Sequence, residues 1–305
     1  MIQMAATYKT VAICVATYKR PAMLKDCLSA IRSLDCPEGY KFIVIIVDND
    51  IAQSGKLVAE ETSTNSLIQL YYFVETKRGI ASARNRLLNE ALSYNVDLIA
   101  FLDDDEFPRQ DWLSTLLWSL EKYNADVVTG PVVSLNVNGN QTSSTEEKYL
   151  TGQKPRKVST NNVLFKNSLI ISGGLRFDLK LNFTGGEDFD FFDRSSALGN
   201  SHVWVNDAII YETIPVERTS KQYLFFRHFT GAINNVVQHR FNNGIIETWL
   251  HYIFKILGKT IGAVLSFIVF IMTFDNDKLE KSIVKFASAT GYVSGLLNII
   301  VERYR

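Results

Sequence analysis

An α/β protein, built on a mixed, mostly parallel sheet flanked by helices and extended by C-terminal helices, is expected from three features of the 305-residue chain. Short continuous apolar runs recur at Val11-Ala12-Ile13-Cys14-Val15-Ala16, Phe42-Ile43-Val44-Ile45-Ile46-Val47 and Leu98-Ile99-Ala100-Phe101-Leu102. Such runs fit strands buried on both faces, as in parallel sheets. Segments with helical periodicity separate them, the alternation that gives βαβ units with right-handed crossovers. Each run ends in polar residues, at Thr17-Tyr18, Asp48-Asn49 and Asp103-Asp104-Asp105. One topology brings all three tips to a single sheet edge, where open α/β sheets bind their ligands.

Along the chain, Pro21 suits the first turn of a helix over residues 21–34, with Leu24, Leu28 and Ile31 on one face. After the second run come a helix near residues 54–62, a strand over 69–74 and a turn at Thr76-Lys77-Arg78-Gly79. A helix over 80–93 carries Arg84, Asn85 and Arg86. Beyond the acids, Pro108 is expected to open a helix with Trp112, Leu113, Leu116, Leu117 and Leu120, ahead of a strand at 126–129. Residues 134–159 loosen into Asn, Gly, Ser, Thr and Lys and read as a loop over the sheet edge. Order resumes at Asn161-Asn162-Val163-Leu164-Phe165. Gly185-Gly186-Glu187-Asp188 then places two glycines, which let backbone approach a ligand, before two acids that open a helix to about residue 198. Residues 203–205 and 209–211 read as short strands.

A helix over 217–240 mixes aromatic and basic residues. The rest of the chain is apolar and helical. Residues 260–274 carry no charge but number only 15 (274 − 260 + 1), where a bilayer span needs roughly 20. A last helix over 279–303 sets Ile283, Phe286, Thr290, Val293, Leu297 and Ile300 along one side. The C-terminal region, 241–305, therefore reads as a helical hairpin on a membrane surface, with a packed helical cap and a spanning element as the other readings.

Composition narrows the field. A formal net charge of +0 gives no bias toward nucleic acid. Cys14, Cys27 and Cys36 are odd in number and lack CxxC spacing, against a disulfide framework or zinc site. Residues 1–9 lack the apolar core of a secretory signal, and a reducing cytosolic setting is expected. The four consecutive acids Asp103 to Glu106 repel one another, and a divalent cation would relieve that repulsion. Hard oxygen ligands suit Mg²⁺ or Mn²⁺. The plainer alternative is a solvated acidic turn before a helix.

Taken together, Val15-Ala16-Thr17-Tyr18-Lys19-Arg20, Val47-Asp48-Asn49-Asp50, Gly79-Ile80-Ala81-Ser82-Ala83-Arg84-Asn85, Phe101-Leu102-Asp103-Asp104-Asp105-Glu106 and Gly185-Gly186-Glu187-Asp188 resemble glycosyltransferase family 2. These are inverting nucleotide-sugar enzymes of GT-A (Rossmann-like) fold, and the resemblance covers about residues 10–240. Within the family the chain looks most like bacterial exopolysaccharide glucosyltransferases of the succinoglycan type, which extend a lipid-linked oligosaccharide.

The resemblance implies roles for particular residues. Asp105 would bind Mn²⁺ or Mg²⁺ on the donor diphosphate, with Asp104 near the ribose and Asp103 supporting. Ala16, Thr17 and Tyr18 would flank uracil or its counterpart, with Arg20, Asp48 and Asn49 nearby. Many members have Asp-Asp where this chain has Asp48-Asn49. Arg84 or Arg78 would meet base or diphosphate, and Gly185, Gly186 and Glu187 would line the donor. Asp188 would be the catalytic base. Gln222 and Arg227 depart from the Gln-x-x-Arg-Trp motif of processive synthases, which implies single additions. Arg218, Arg227 and His228 would steady the leaving diphosphate, or simply form a charged helix face. The implied activity is inverting, metal-dependent transfer of one sugar from a nucleotide sugar, UDP-linked, to a lipid-linked saccharide acceptor. The implied site of action is the inner face of the cell membrane, with the enzyme peripheral. A non-catalytic nucleotide-sugar-binding module and a metal-dependent nucleotidyltransferase are the rival readings. The absence of glycine from Thr17-Tyr18-Lys19-Arg20-Pro21 counts against the second.

Overall fold

The computed structural model of the protein describes residues 8–64, 69–136, 139–144, 149–183, 185–214 and 220–299. The chain forms two compact units: Met1–Asn182 with Glu187–Thr213, and Phe183–Gly186 with Ile214–Arg305.

The first unit begins with β1 (Lys9–Thr17), α1 (Pro21–Ile31), β2 (Tyr40–Asp48), α2 (Lys56–Thr64) and β3 (Gln69–Val74). It continues through α3 (Ile80–Ser93), β4 (Leu98–Asp103), β5 (Glu106–Pro108), α4 (Trp112–Lys122) and β6 (Val127–Thr129). Then come β7 (Val132–Leu135), β8 (Gln141–Ser144), β9 (Val163–Lys166), α5 (Ser168–Ile171), α6 (Glu187–Ala197), β10 (His202–Trp204) and β11 (Ile210–Thr213).

Among these residues, seven strands form one sheet in the order β10-β6-β9-β4-β1-β2-β3. It is parallel except for β9, which runs antiparallel between β4 and β6. The buried runs supply both faces by alternation. Val11, Ile13 and Val15 pack with Leu24 and Leu28 of α1 and with Trp112 and Leu116 of α4. Ala12 and Cys14 face the other layer, with Leu87 and Leu88 of α3 and Phe191 and Phe192 of α6. Burial holds the Cys14 thiol far above its usual range, as a reduced core residue.

Three local expectations are corrected. Pro108 does not open a helix; it ends β5, whose partner is β11, and α4 starts at Trp112 after Asp111. Residues 134–159 are not all loop. β8 pairs antiparallel with β7 across a bulge, in a second sheet ordered β5-β11-β7-β8. The Gln141-Thr142-Ser143-Ser144 strand has no apolar face to reveal it; its order comes from edge pairing. The helix expected over 217–240 begins at Lys221 and does not stop at 240. Residues 137–138, 145–148 and 215–219, and with them Arg218, lie outside the described residues, as does Ile300.

The second unit holds α7 (Lys221–Thr273) and α8 (Asn276–Leu296). The boundary expected after residue 240 falls inside α7. Gly244, with φ 81°, interrupts α7 and splits it into arms 221–243 and 245–273. Lys221 Nζ donates to Asn276 Oδ1 (3.5 Å), and Arg240 Nη2 donates to the Gly295 and Leu296 carbonyls (2.8 and 2.9 Å). The first arm therefore runs parallel to α8. Ser282 Oγ donates to Ala263 O (2.9 Å) and Tyr252 OH to Asn235 O (3.0 Å), so the second arm runs back against both. A Cβ on Gly291 would lie 2.4 Å from Phe229 O, which is why this crossing takes a glycine.

Candidate active site

The register of the sheet assembles the polar tips. Thr17 is paired with Asp48, and Ala16 with Asp103, so β1, β2 and β4 end level. Thr17 Oγ1 donates to Asp104 Oδ2 (2.7 Å). Arg20 Nη1 reaches Asp104 Oδ1 (3.3 Å) and Asp105 Oδ2 (3.4 Å). Tyr18 has the Arg78 guanidinium 5.2 Å from its ring centre and the Lys19 ammonium also at 5.2 Å. Sequence-distant Arg78 and Tyr18 thus stand together as a planar, cationic pair.

Burial and like charge perturb the acids. The Asp103 carboxyl, at the rim and only partly covered, is pushed up to about 6 by the protein crowded around it and by the charges of Asp105 and Asp188, against the opposing Arg84. Asp104 is likewise at about 6, through burial, with Thr17 and Arg20 holding it down. Glu106 is 1% exposed and pushed well up by burial; its Oε2 accepts from Asp103 N (2.8 Å), locking the turn that aims the acids.

The Glu187-Asp188 start of α6 is tied to the same edge by one guanidinium. Arg84, 6% exposed, donates through Nη1 to Glu187 Oε1 and through Nη2 to Asp103 Oδ1 (3.4 Å). It is a buried linker between the two acidic motifs, not a solvated helix arginine. Burial and the neighbouring Asp188 push Glu187 up to about 7, against Arg84. Its Oε2 is buried without a hydrogen-bond partner among the described residues. The charge of Asp188 raises both Asp103 and Glu187, so the three carboxylates share one neighbourhood. Asp188 Oδ1 accepts from Phe189 N (2.8 Å), which orients the carboxylate at the helix start. Gly185 and Gly186 precede it with φ 81° and 87°, two successive left-handed residues that only glycine adopts freely.

Asp48 and Asn49 hold backbone. Asp48 accepts from Asp50 N (2.9 Å), Gly55 N (2.7 Å) and Tyr72 OH (2.8 Å). Asn49 donates to the Glu75 and Lys77 carbonyls (2.8 and 2.9 Å) and accepts from Gly79 N (2.7 Å). An aspartate could not donate twice, which gives the departure from Asp-Asp a physical reason. Asn182, which nothing in the sequence singles out, closes the same knot. It accepts from Ser82 N (2.9 Å) and donates to Arg78 O (2.7 Å), and a Cβ on Gly79 would lie 2.2 Å from it. An isolated asparagine in Leu181-Asn182-Phe183 has no periodic signature to betray it.

The donor set can be tested against a divalent cation. Among the described residues, no three His, Cys, Asp or Glu side chains converge as a closed metal cage. Mg²⁺ and Mn²⁺ do not need one, since they are commonly held by one or two carboxylates together with substrate phosphates. Asp103 keeps 42% of its side chain open, beside a strongly acidic neighbourhood that Arg20 and Arg84 offset only in part. That chemistry fits such a cation.

Comparison with known proteins places this geometry. The model for "Glycosyl transferase family 2" matches residues 12–179. The succinoglycan biosynthesis protein ExoM of Rhizobium meliloti is 29% identical over 243 residues, 77% of either chain. The glycosyltransferase AglE of Haloferax volcanii is 25% identical over 210 residues, 68% of this chain and 67% of its own. Among solved structures, the mannosyltransferase PcManGT of Pyrobaculum calidifontis, in complex with GDP-Man and Mn²⁺, superposes with a TM-score of 0.65 at 15% identity. That match covers 96% of this chain and 89% of that one. S. aureus TarS 1–349 in complex with UDP-GlcNAc gives 0.57 at 14% identity, covering 92% and 90%. The GT-A fold expected from the sequence is the fold of these neighbours.

Proposed function

The chain belongs to glycosyltransferase family 2, and from that premise we propose that it moves one sugar from a nucleotide sugar, with inversion, to a saccharide acceptor carried on a membrane lipid. The observation that carries this reading is the Arg84 bridge, which joins the Glu187-Asp188 helix start to the Asp103 end of β4. A general base and a leaving-group site must sit within one sugar ring of each other, and a buried guanidinium fixes such a spacing. The relatives support a role in surface-polysaccharide assembly: ExoM is named for succinoglycan biosynthesis. The neighbours' ligands, UDP-GlcNAc and GDP-Man, support a nucleotide-sugar donor, and we favour a UDP-sugar.

Each role has a chemical reason. Tyr18 and Arg78 present a flat cationic face that would stack on the base. Ala16 and Thr17 line the same edge. Asp104 is held toward the ribose by Thr17 and Arg20. Asp105, with Asp103, would hold Mn²⁺ or Mg²⁺, which when bound supplies the charge that neutralises the leaving diphosphate. Gly185 and Gly186 leave backbone free of side chains beside the donor, and Glu187 keeps Arg84 in place. Asp188 accepts the proton of the attacking hydroxyl. A single displacement, with attack opposite the leaving group, inverts the anomeric centre. Asp48, Asn49 and Asn182 act by holding the backbone that presents these groups. The setting we propose is cytoplasmic, at the inner membrane face.

A panel of UDP-, GDP- and TDP-sugars, with and without Mn²⁺, tests the reading by thermal shift, since ligands raise apparent stability by mass action. A UDP-sugar shift that grows with Mn²⁺ is expected, and NMR of the product should show the inverted anomer. A retained anomer, or no shift with any sugar nucleotide, would overturn it.

A further inference from the structure

The second arm of α7 is built the wrong way round for water. Asn243–Thr273 is, among the described residues, the helix long and apolar enough to cross a membrane, yet only 6% of its most apolar window is buried. A core helix of a soluble domain would be mostly buried. At about 100° per residue, Ile246, Leu250, Phe254, Leu257, Val264 and Ile268 fall on one side, within an exposed apolar arc about 200° wide. All six are more than 45% exposed. Glu247, His251, Lys255 and Lys259 lie on the remaining arc, the two lysines on the far side of the helix, and do not interrupt it.

The contact with α8 is the polar side. Lys285 Nζ donates to Gly262 O (3.1 Å) and Ser266 Oγ (2.9 Å), and Ser282 Oγ to Ala263 O (2.9 Å). Small residues and side-chain hydrogen bonds between helices, with large apolar residues outside, are the packing of helices surrounded by lipid. A second copy would cover too little: one partner helix masks an apolar stripe of roughly 100°. The charges of α8 argue against a simple crossing, because Asp277, Lys278, Glu280 and Lys281 run beside the apolar end of the arm.

We infer that residues 245–273 lie in the plane of one leaflet, with the apolar arc immersed in acyl chains and Lys255 and Lys259, on the far side, extended to the headgroups. In-plane helices with one apolar and one polar side are known anchors, and long lysine stems reach the interface readily. The occupant is the lipid itself. The placement rests on the proposed function in one respect only, that the enzyme works at a membrane.

Spin labels test it on the full chain with Cys36→Ser, since Cys14 and Cys27 are buried. Labels go singly on Leu250→Cys, Leu257→Cys, Val264→Cys and Ile271→Cys, and on Glu280→Cys of α8. In phosphatidylcholine–phosphatidylglycerol vesicles the first four should lose access to a water-soluble nickel reagent. Their depths should agree to within about one helical turn, ~5 Å, while position 280 stays in water. Depths graded across roughly 30 Å would mean a crossing helix and overturn the placement. So would unchanged nickel access, or shielding that appears without vesicles in a dimer. Nucleotide-sugar binding by the same labelled protein separates the two readings: inserted labels without donor binding sink the proposed function and leave the anchor standing.

Discussion

The two units of this chain differ in what they leave exposed. In the first, apolar runs such as Val11 to Val15 vanish into the sheet core, and the charged groups Arg84, Glu187 and Asp104 are drawn in only where partners meet them. In the second, Ile246, Phe254, Met272 and Phe274 are all more than 70% exposed, while Thr248, Ser282 and Ser288 are buried. The difference teaches that burial is relative to a solvent. The sheet unit is sorted for water; in the placement proposed above the helical unit is sorted for hydrocarbon, and an exposed leucine then has the opposite meaning in each.

The contrast can be strained by substitution, beginning with the largest expected effect. Asp188→Asn should lower the transfer rate about 10²–10⁴-fold while nucleotide-sugar binding and vesicle association persist. Full activity in a product assay would remove Asp188 from the role of base. Arg84→Met leaves Glu187 and Asp103 facing one another without the cation. Breaking a buried ion pair on one side costs about 3–5 kcal/mol. Denaturant unfolding should show that loss in the sheet unit, with vesicle association unchanged.

The titration of Glu187 gives a smaller, pH-dependent effect. Its folded pKa of about 7 lies above its ordinary 4.5, so the folded state holds the proton more tightly than the unfolded state. The stability this contributes is present in full below about pH 4.5 and lost as pH rises through 7. Glu187→Gln should flatten the slope of stability against pH across that window. A slope equal to the parent's would assign the titration elsewhere. Smallest of all, Gly291→Ala forces a methyl group onto Phe229 O and Ala232. Overpacking of this kind costs about 1–3 kcal/mol, read as a lowered Tm in detergent. Leu265→Ser on the exposed arc should leave that Tm unchanged, which is the inverse of the rule in the sheet unit.

Much of the first unit was legible because its signals are local. Continuous apolar strands, polar tips and glycines before acids each occupy a few adjacent residues, and register then aligned Thr17 with Asp48 and Ala16 with Asp103. What escaped depends on partners far along the chain. β8 is polar throughout and is ordered only by pairing with β7. Asn182 makes sense only once the Gly79 turn is beside it. The uncharged stretch 260–274 is too short by itself to read as a span; the structure shows it as the end of a continuous arm starting after Gly244, where lateral exposure counts more than length.

The reversed direction of β9 has a further consequence. β6 finishes at Thr129 and β9 sets out from Val163 directly beside it, so everything from 130 to 162 departs from and returns to the rim that carries the acids. That excursion is anchored along its way, by β7 pairing with β11, by Gly152 and Gln153 bonding Trp204, and by Val158 in the core. Exchanges between relatives are expected to be tolerated between those anchors and to lower Tm where they replace one.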